Sequence, residues 1–384
     1  MIQTKITYNL FTISLHWRNN FITSNIKIVT YFNNLIKHKI MKHFAILMLV
    51  FSFLAASCGN KDEGGSPQIN GAGATFPFPL YSKWFDEYSK INKDAKFNYQ
   101  SIGSGGGIKQ MTEGTVDFGA TDAPMTSEEQ VNAETKSGTK IHHIPTVLGA
   151  VVMTYNVPGL DKLNLTGENI AEIYLGKIKK WNDPKIAKEN PGTSLPDKDI
   201  NVVYRTDGSG TTYIFTDYLS SVSPEAKEKI GLSKTAKFEF GQGGKGNEGV
   251  TGVVKQLEYS IGYVELIYAL QNKLSYASVK NTEGEFIVPT LESVTKAAEV
   301  SVDQMPETLT MSVINAKGKG AYPISSYTYL LIYEKHKNPT KGKLVKTFVE
   351  WALGDGQRFA KELGYAPLPA SLSKKAIEKL KILQ

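Results

Sequence analysis

Val203-Tyr204-Arg205-Thr206-Asp207-Gly208-Ser209-Gly210-Thr211-Thr212-Tyr213-Ile214-Phe215-Thr216-Asp217 is the stretch around which the chain is read. A β-branched lead-in (Ile200, Val202, Val203) predicts a strand. Asp207-Gly208-Ser209-Gly210 predicts a turn. Tyr213, Phe215 and Tyr218 fall at apolar positions of a helix that opens there. Strand, glycine turn and helix start aim unpaired backbone N–H groups at one point, where an anion is favoured. Arg205 adds a planar fork of donors, and Ser209 and Thr211 add hydroxyls. The plain alternative is an N-capped helix on a tight turn, since Ser and Thr are ordinary caps. The rest of the chain decides between the two.

The 384 residues allow two or three domains, and 41 % apolar content supplies real cores. The net charge of +7 suggests a basic protein, but its distribution removes that impression. Six of the 44 basic residues (Lys5, Arg18, Lys27, Lys37, Lys39 and Lys42) fall within residues 1–57, which hold no Asp or Glu. The remaining 38 face 37 acidic residues, a net charge of +1. A near-neutral body has no electrostatic footprint for nucleic acid. Lys42 and His43 precede a thirteen-residue apolar run, Phe44 to Ala56, which is short for a bilayer span and suits a signal-peptide core. Ala55-Ala56-Ser57 then leads to Cys58, the one cysteine, in the manner of a bacterial lipoprotein signal. Such signals favour Leu three residues before the cysteine, where this chain has Ala55. Residues 1–40 precede Met41, from which a signal of normal length starts, and read as an upstream extension. Residues 58–68 read as a flexible tether. Its Lys61-Asp62-Glu63 trio resembles an outer-surface display signal or is a plain solvated cluster.

The body begins near Gln68. Periodicity predicts helices over Phe78–Ser89, Ile108–Glu113, Ser127–Lys136, Thr166–Gly176 and Glu248–Leu257, with two more near Gly342–Leu353 and Ser371–Leu383. Strands are expected over Lys96–Gln100, Val116–Ala120, Ile141–Val147, Gly149–Asn156, Ser260–Val264 and Pro323–Tyr333. Residues 276–310 give no clear pattern. Alternating strands and helices indicate an α/β class with mostly parallel sheets.

Three glycine turns carry hydroxyls near helix starts: Thr75, Ser104, and Ser209–Thr211. If they converge, they form an anion cradle. Other motifs fail on spacing. Phe76 stands where a dinucleotide fingerprint beginning at Gly71 needs its third glycine, and Ile108 does so for the one beginning at Gly103. Gly244-Lys245-Gly246 lacks the hydroxyl of a Walker loop. Asp207 and Ile102 replace the leading glycine of a nucleophile elbow at Ser209 and Ser104. His142 and His143 are neighbours on a strand and point to opposite faces, a poor pair of metal ligands. No catalytic residue, metal site or cofactor is indicated.

Seven motifs occur in order: Gly71-Ala72-Gly73-Ala74-Thr75-Phe76-Pro77; Gly103-Ser104 with Gly106-Gly107 and Lys109-Gln110; Val116-Asp117-Phe118-Gly119-Ala120 with Asp122-Ala123-Pro124; Tyr174-Leu175-Gly176-Lys177-Ile178 with Trp181; Arg205 with Asp207-Gly208-Ser209-Gly210-Thr211; Gly243-Gly244-Lys245-Gly246-Asn247; and Ile261-Gly262-Tyr263-Val264-Glu265. Over residues 69–384 the chain closely resembles the phosphate-binding proteins of Pst-type ABC transporters. The resemblance implies a two-domain, type II periplasmic-binding-protein fold, with residues 69–148 and 320–384 in one domain and 149–319 in the other. The crossovers would lie near Thr146–Val152 and Ala316–Ser325. It implies phosphate held by Thr75, Phe76 (through its backbone N–H), Ser104, Asp122, Arg205, Ser209, Gly210 and Thr211, with Asp207 holding Arg205. It also implies a membrane ABC permease as partner, while the lipoprotein-like signal before Cys58 implies export and a lipid on Cys58 that ties the protein to the membrane. Ser101, Gly105, Thr121 and Tyr204 depart from the family pattern near the site, and some relatives carry a second Arg at the Tyr204 position.

The chemistry stands beside the resemblance. Phosphate at neutral pH keeps at least one P–OH, while sulfate has none. A carboxylate in the cage accepts from the P–OH and repels sulfate, and leaving a buried polar group unsatisfied costs about 1–3 kcal/mol, more if charged. Asp122 is the expected specificity residue. A site for another oxyanion such as sulfate or molybdate, and a phosphate-ester hydrolase, are the competing readings.

Overall fold

A computed structural model describes residues 67–384. The upstream extension 1–40, the signal segment 41–57, Cys58 and all but the last two residues of the tether lie outside the described residues.

The first half of the fold is built from β1 (Gln68–Gly73), α1 (Phe78–Ile91), β2 (Lys96–Ser101), α2 (Ser104–Glu113), β3 (Phe118–Thr121) and α3 (Ser127–Ser137). Helix α1 has Pro79 in its first turn, where a missing N–H costs little, and it buries Leu80, Tyr81, Trp84 and Tyr88 along one stripe. Helix α3 opens on a capping box between Thr126 and Glu129. Helix α2 starts at Ser104, four residues before the expected Ile108. Three consecutive glycines hide its first turn from propensity reasoning. They stand there because Gly107 packs on backbone, with an added Cβ falling 2.6 Å from Gly73 Cα.

The chain then runs through β4, one sixteen-residue strand from Ile141 to Asn156 in place of the two expected. Pro145 and Gly149 suggest a break, but the partner changes while the strand continues. Residues 141–150 pair antiparallel with β8 (Ser325–Tyr333), and Val151–Asn156 pair antiparallel with β7 (Ser260–Glu265). Beyond β7 lie β5 (Asn201–Arg205) and β6 (Gln242–Gly244), both in parallel pairings. The sheet order is β2-β1-β3-β8-β4-β7-β5-β6, with Ala366–Pro367 and Ser275–Tyr276 adding short pairings to β4. The ends of the sheet are parallel, but β3–β8, β8–β4 and β4–β7 are antiparallel, so the expected mostly parallel sheet is a mixed one.

Helices α4 (Gly210–Val222) and α5 (Gly246–Gln256) follow β5 and β6, and α6 (Pro339–Leu353) follows β8. Residues 276–310 resolve into two short strands of a separate three-stranded sheet, Ser278–Lys280 and Phe286–Ile287, and a helix, Leu291–Glu299. Their pattern is illegible because strands of two or three residues carry too few periods.

This topology sets up the site. The parallel strands β1, β2 and β3 end at Gly73, Ser101 and Thr121; β5 and β6 end at Arg205 and Gly244. The turns leaving these carboxyl ends face one another, the usual place for a ligand in an open α/β sheet.

Candidate functional site

Arg205 is the last residue of β5 and is 3 % exposed. Its Nε donates to Asp207 Oδ1 at 2.8 Å and its Nη2 to Asp207 Oδ2 at 2.6 Å, a two-pronged pair. Gly246, the first residue of α5, donates its N–H to the same carboxylate at 2.9 Å. Burial pushes the Asp207 carboxyl up, but the Arg205 hydrogen bonds and charge outweigh it and hold it below the usual range. Arg205 Nη1 is buried and has no partner among the described residues. A buried charged donor left unpaired is costly, so a partner of opposite sign is the natural complement.

Ser209 caps α4, its Oγ accepting from Thr212 N at 2.9 Å. That use leaves its hydroxyl proton free to donate. Its own N–H is held by the Lys234 carbonyl at 2.8 Å, and Lys234 Nζ reaches both oxygens of Glu129 in the first turn of α3 at 2.6 Å. Gly210 lies against the opposite wall: a Cβ there would stand 2.4 Å from Ser104 Oγ and 2.5 Å from Asp122 Oδ2. Gly210→Ala should therefore lower anion affinity by roughly ten- to a hundredfold, the scale of overpacking, and lower the ligand-free melting temperature as well, since the clash is with the protein's own opposite wall. Calorimetry with a parallel thermal melt checks this.

Asp122 follows β3 and is 2 % exposed. Its Oδ1 accepts from Thr328 Oγ1 at 2.7 Å. Its N–H donates to Ser104 Oγ at 3.1 Å, and Oδ2 has only a long 3.4 Å approach from the same hydroxyl. One face of the carboxylate thus keeps accepting capacity. Burial pushes Asp122 up to about 7, against the opposing pull of Thr328, the Arg205 charge and Ser104. Ser104 is fully buried at the start of α2, where Gly103 adopts φ +84, a backbone region that glycine enters without strain.

Thr75 and Phe76 sit in the turn between β1 and α1 and are buried. The Phe76 carbonyl takes the Tyr365 hydroxyl at 2.7 Å, and the Thr75 carbonyl takes the Tyr268 hydroxyl at 2.5 Å. Thr75 Oγ1 meets Asn247 Nδ2 at 2.7 Å, and the same amide reaches Thr211 Oγ1 at 3.2 Å. The structure therefore brings Thr75, Ser104, Asp122, Arg205, Gly210 and Thr211 to one buried place, although they are spread over 137 positions of sequence. The arrangement offers hydroxyl and guanidinium donors and, in Asp122, a carboxylate with accepting capacity to spare.

Sequence reasoning gave no role to Thr328, Tyr263, Asn247 or Glu265. Thr328 lies in an apolar strand at a register shift between Thr328 and Tyr329. Bulges often re-aim side chains beside active sites, and here the hydroxyl meets Asp122. A hydroxyl inside an apolar run was the one available signal. Tyr263 accepts Arg205 N–H at 3.2 Å and meets Thr212 Oγ1 at 2.9 Å. Asn247 stood inside a quoted glycine motif, at the second residue of α5. Glu265 is fully buried at the end of β7, and burial raises its carboxyl well above the usual range.

Among the described residues no group of three His, Cys, Asp or Glu side chains could hold a metal. His142 pairs with Glu334 at 2.8 Å, and His143 accepts Met125 N–H at 3.0 Å. A hollow of about 330 Å³ around Asp117, His336 and Lys341 lies away from this site, and its carboxylate is already paired with both bases.

A family model described as a PBP superfamily domain matches residues 59–355. The phosphate-binding protein PstS of Xylella fastidiosa (strain Temecula1) is 45 % identical over 315 residues, covering 82 % of this chain and 85 % of its own. PstS of Pasteurella multocida is 44 % identical over 338 residues, covering 87 % and 94 %. A solved high-affinity periplasmic phosphate-binding protein with bound phosphate superposes with a TM-score of 0.66 over 80 % of this chain and 92 % of its own, at 20 % identity. That distance shows a shared two-domain periplasmic-binding fold alone. With most of its length matched at 44–45 % identity, the chain belongs to the PstS family of phosphate-binding proteins.

Proposed function

We propose that this protein captures inorganic phosphate in the buried site and delivers it to a membrane ABC permease for import. One observation carries the reading: Arg205 Nη1 is buried without a partner among the described residues, and Asp122 on the opposite wall keeps an oxygen with only a long 3.4 Å approach from Ser104. A tetrahedral anion with one remaining proton suits a cationic donor and a spare carboxylate acceptor together. Arg205, steadied by Asp207, supplies the attraction. Thr75, Ser104, Ser209 and Thr211 donate hydroxyls; Phe76 and Gly210 donate backbone N–H groups at helix starts. Asp122 accepts the P–OH. Binding and release, without turnover, is the whole activity. Equilibrium dialysis of the purified protein against labelled phosphate should give one phosphate per chain. No retention, or metal-dependent hydrolysis of a chromogenic phosphate ester, would overturn the reading.

In this account residues 69–148 and 320–384 form one domain and 149–319 the other, closing about the ligand by hinge motion at β4 and before β8. The change of partner in β4 between Ala150 and Val151 supports that division. The protein is exported and held in the cell envelope by lipid on Cys58, facing the periplasm or displayed on the outer surface. Cys58→Ser should shift it from the membrane to the soluble fraction, with phosphate affinity unchanged. Retention in the membrane fraction would remove the anchor from the account.

A further inference from the structure

Asn247 is fully buried and its side-chain amide is spent on three partners. Its Oδ1 takes the Glu265 main-chain N–H at 2.9 Å. A backbone N–H can only donate, so this bond settles which end of the amide is oxygen. The NH2 end must then face Thr75 Oγ1 at 2.7 Å and Thr211 Oγ1 at 3.2 Å, one hydrogen to each. An amide NH2 has no acceptor capacity, so both hydroxyls receive from it. Thr75 Oγ1 also meets the Asn247 main-chain N–H at 3.3 Å, which occupies its second lone pair. Neither hydroxyl donates to any described residue. Both protons are therefore turned away from Asn247.

We propose that Asn247 is a positioning residue for anion binding: through Glu265 N–H it fixes Thr75 as an obligate donor toward the bound anion and turns the Thr211 proton away from itself in the same sense. This rests on the phosphate reading of the site. A free threonine hydroxyl can turn either a proton or a lone pair to its neighbour. Asn247 removes that choice in advance at Thr75, whose two lone pairs are both taken, and narrows it at Thr211, where one is taken; the two hydroxyls come from turns far apart in sequence. The anion then meets donors already oriented, and no ordering cost remains to be met on binding. With Thr75 committed to donating, acceptance of a P–OH falls to Asp122, which sharpens the demand for one.

A double-mutant cycle read by calorimetry with inorganic phosphate tests this. Asn247→Leu should weaken binding by about tenfold, the scale of one hydrogen bond to a charged group. In a Thr75→Val, Thr211→Val background the same change should cost less than about threefold, because there is no hydroxyl left to orient. Asn247→Asp keeps the shape but can only accept, so it draws both protons back and should bind more weakly than Asn247→Leu. A packing role predicts the reverse: equal losses in both backgrounds, and Asp better tolerated than Leu. Either result overturns the proposal. Ligand-free melts identify a variant that fails to fold, and the Asp and Leu substitutions provide independent routes to the answer. Loss of phosphate binding by the unaltered protein would overturn the underlying reading instead. Binding by the unaltered protein with an additive cycle would overturn this inference alone.

Discussion

Replacing Arg205 with methionine should reduce phosphate affinity by roughly two to three orders of magnitude, the effect of truncating one member of a buried charge pair. Two losses combine. The anion loses its one cationic partner, whose Nη1 is otherwise unspent. Asp207 loses both guanidinium bonds and keeps only main-chain N–H contacts, from Gly246 and from itself. Whatever fraction of Asp207 stays ionised without its counter-charge then repels the anion. Asp207 is held low by Arg205, so removing Arg205 should return it toward protonation. Arg205→Lys should recover little, since an ammonium is a point charge and cannot bond two carboxylate oxygens and an anion through a planar fork. Titration of both variants checks this. Wild-type affinity in Arg205→Met would remove Arg205 from the site.

The second large effect concerns selectivity. Asp122→Asn should lower phosphate affinity by about tenfold and collapse the preference for phosphate over sulfate by roughly two orders of magnitude. The amide offers a donor where the carboxylate offered only lone pairs, so sulfate no longer faces an unpaired buried charge. The wild-type protein should show the same trend with pH. Burial pushes Asp122 up to about 7, so it is ionised and exclusive near pH 8 and protonated at mildly acid pH, where it can donate to sulfate. Stability without ligand follows the same group. Its folded value lies above the ordinary carboxylate value of 3.8, so the folded state prefers the protonated form. That contribution is fully present below about pH 4 and is lost as the pH rises through about 7. Asp122→Asn should flatten this slope in urea melts of the ligand-free protein. An unchanged slope would show that Asp122 does not titrate in this window.

Much of the candidate site was legible because turn chemistry is local. Ser104 and Ser209–Thr211 lie beside glycines at helix starts and Thr75 lies in the glycine turn before one, and hydroxyls in such turns are read within a few residues. Asp207 is two residues from Arg205, so their pairing was close to a local inference. The illegible parts are those made by long-range register. Thr328 reaches Asp122 across 206 residues, from a strand whose sequence does not show which of its hydroxyls faces the site. Asn247 joins Thr75 across 172 residues. The antiparallel centre of the sheet follows from β4 and β8 running past each other, and hydropathy carries no sign of strand direction. The early start of α2 was hidden by Gly105, Gly106 and Gly107, whose low helix propensity is overridden by close backbone packing.

The central claim is that one buried carboxylate selects a protonated oxyanion inside a cage of donors. Calorimetric titration of the purified protein with phosphate and with sulfate near pH 8 tests it most directly. The account predicts one tight phosphate per chain and sulfate weaker by at least roughly a hundredfold, the cost of a repelled and unpaired buried charge. Equal affinity for the two anions would contradict it.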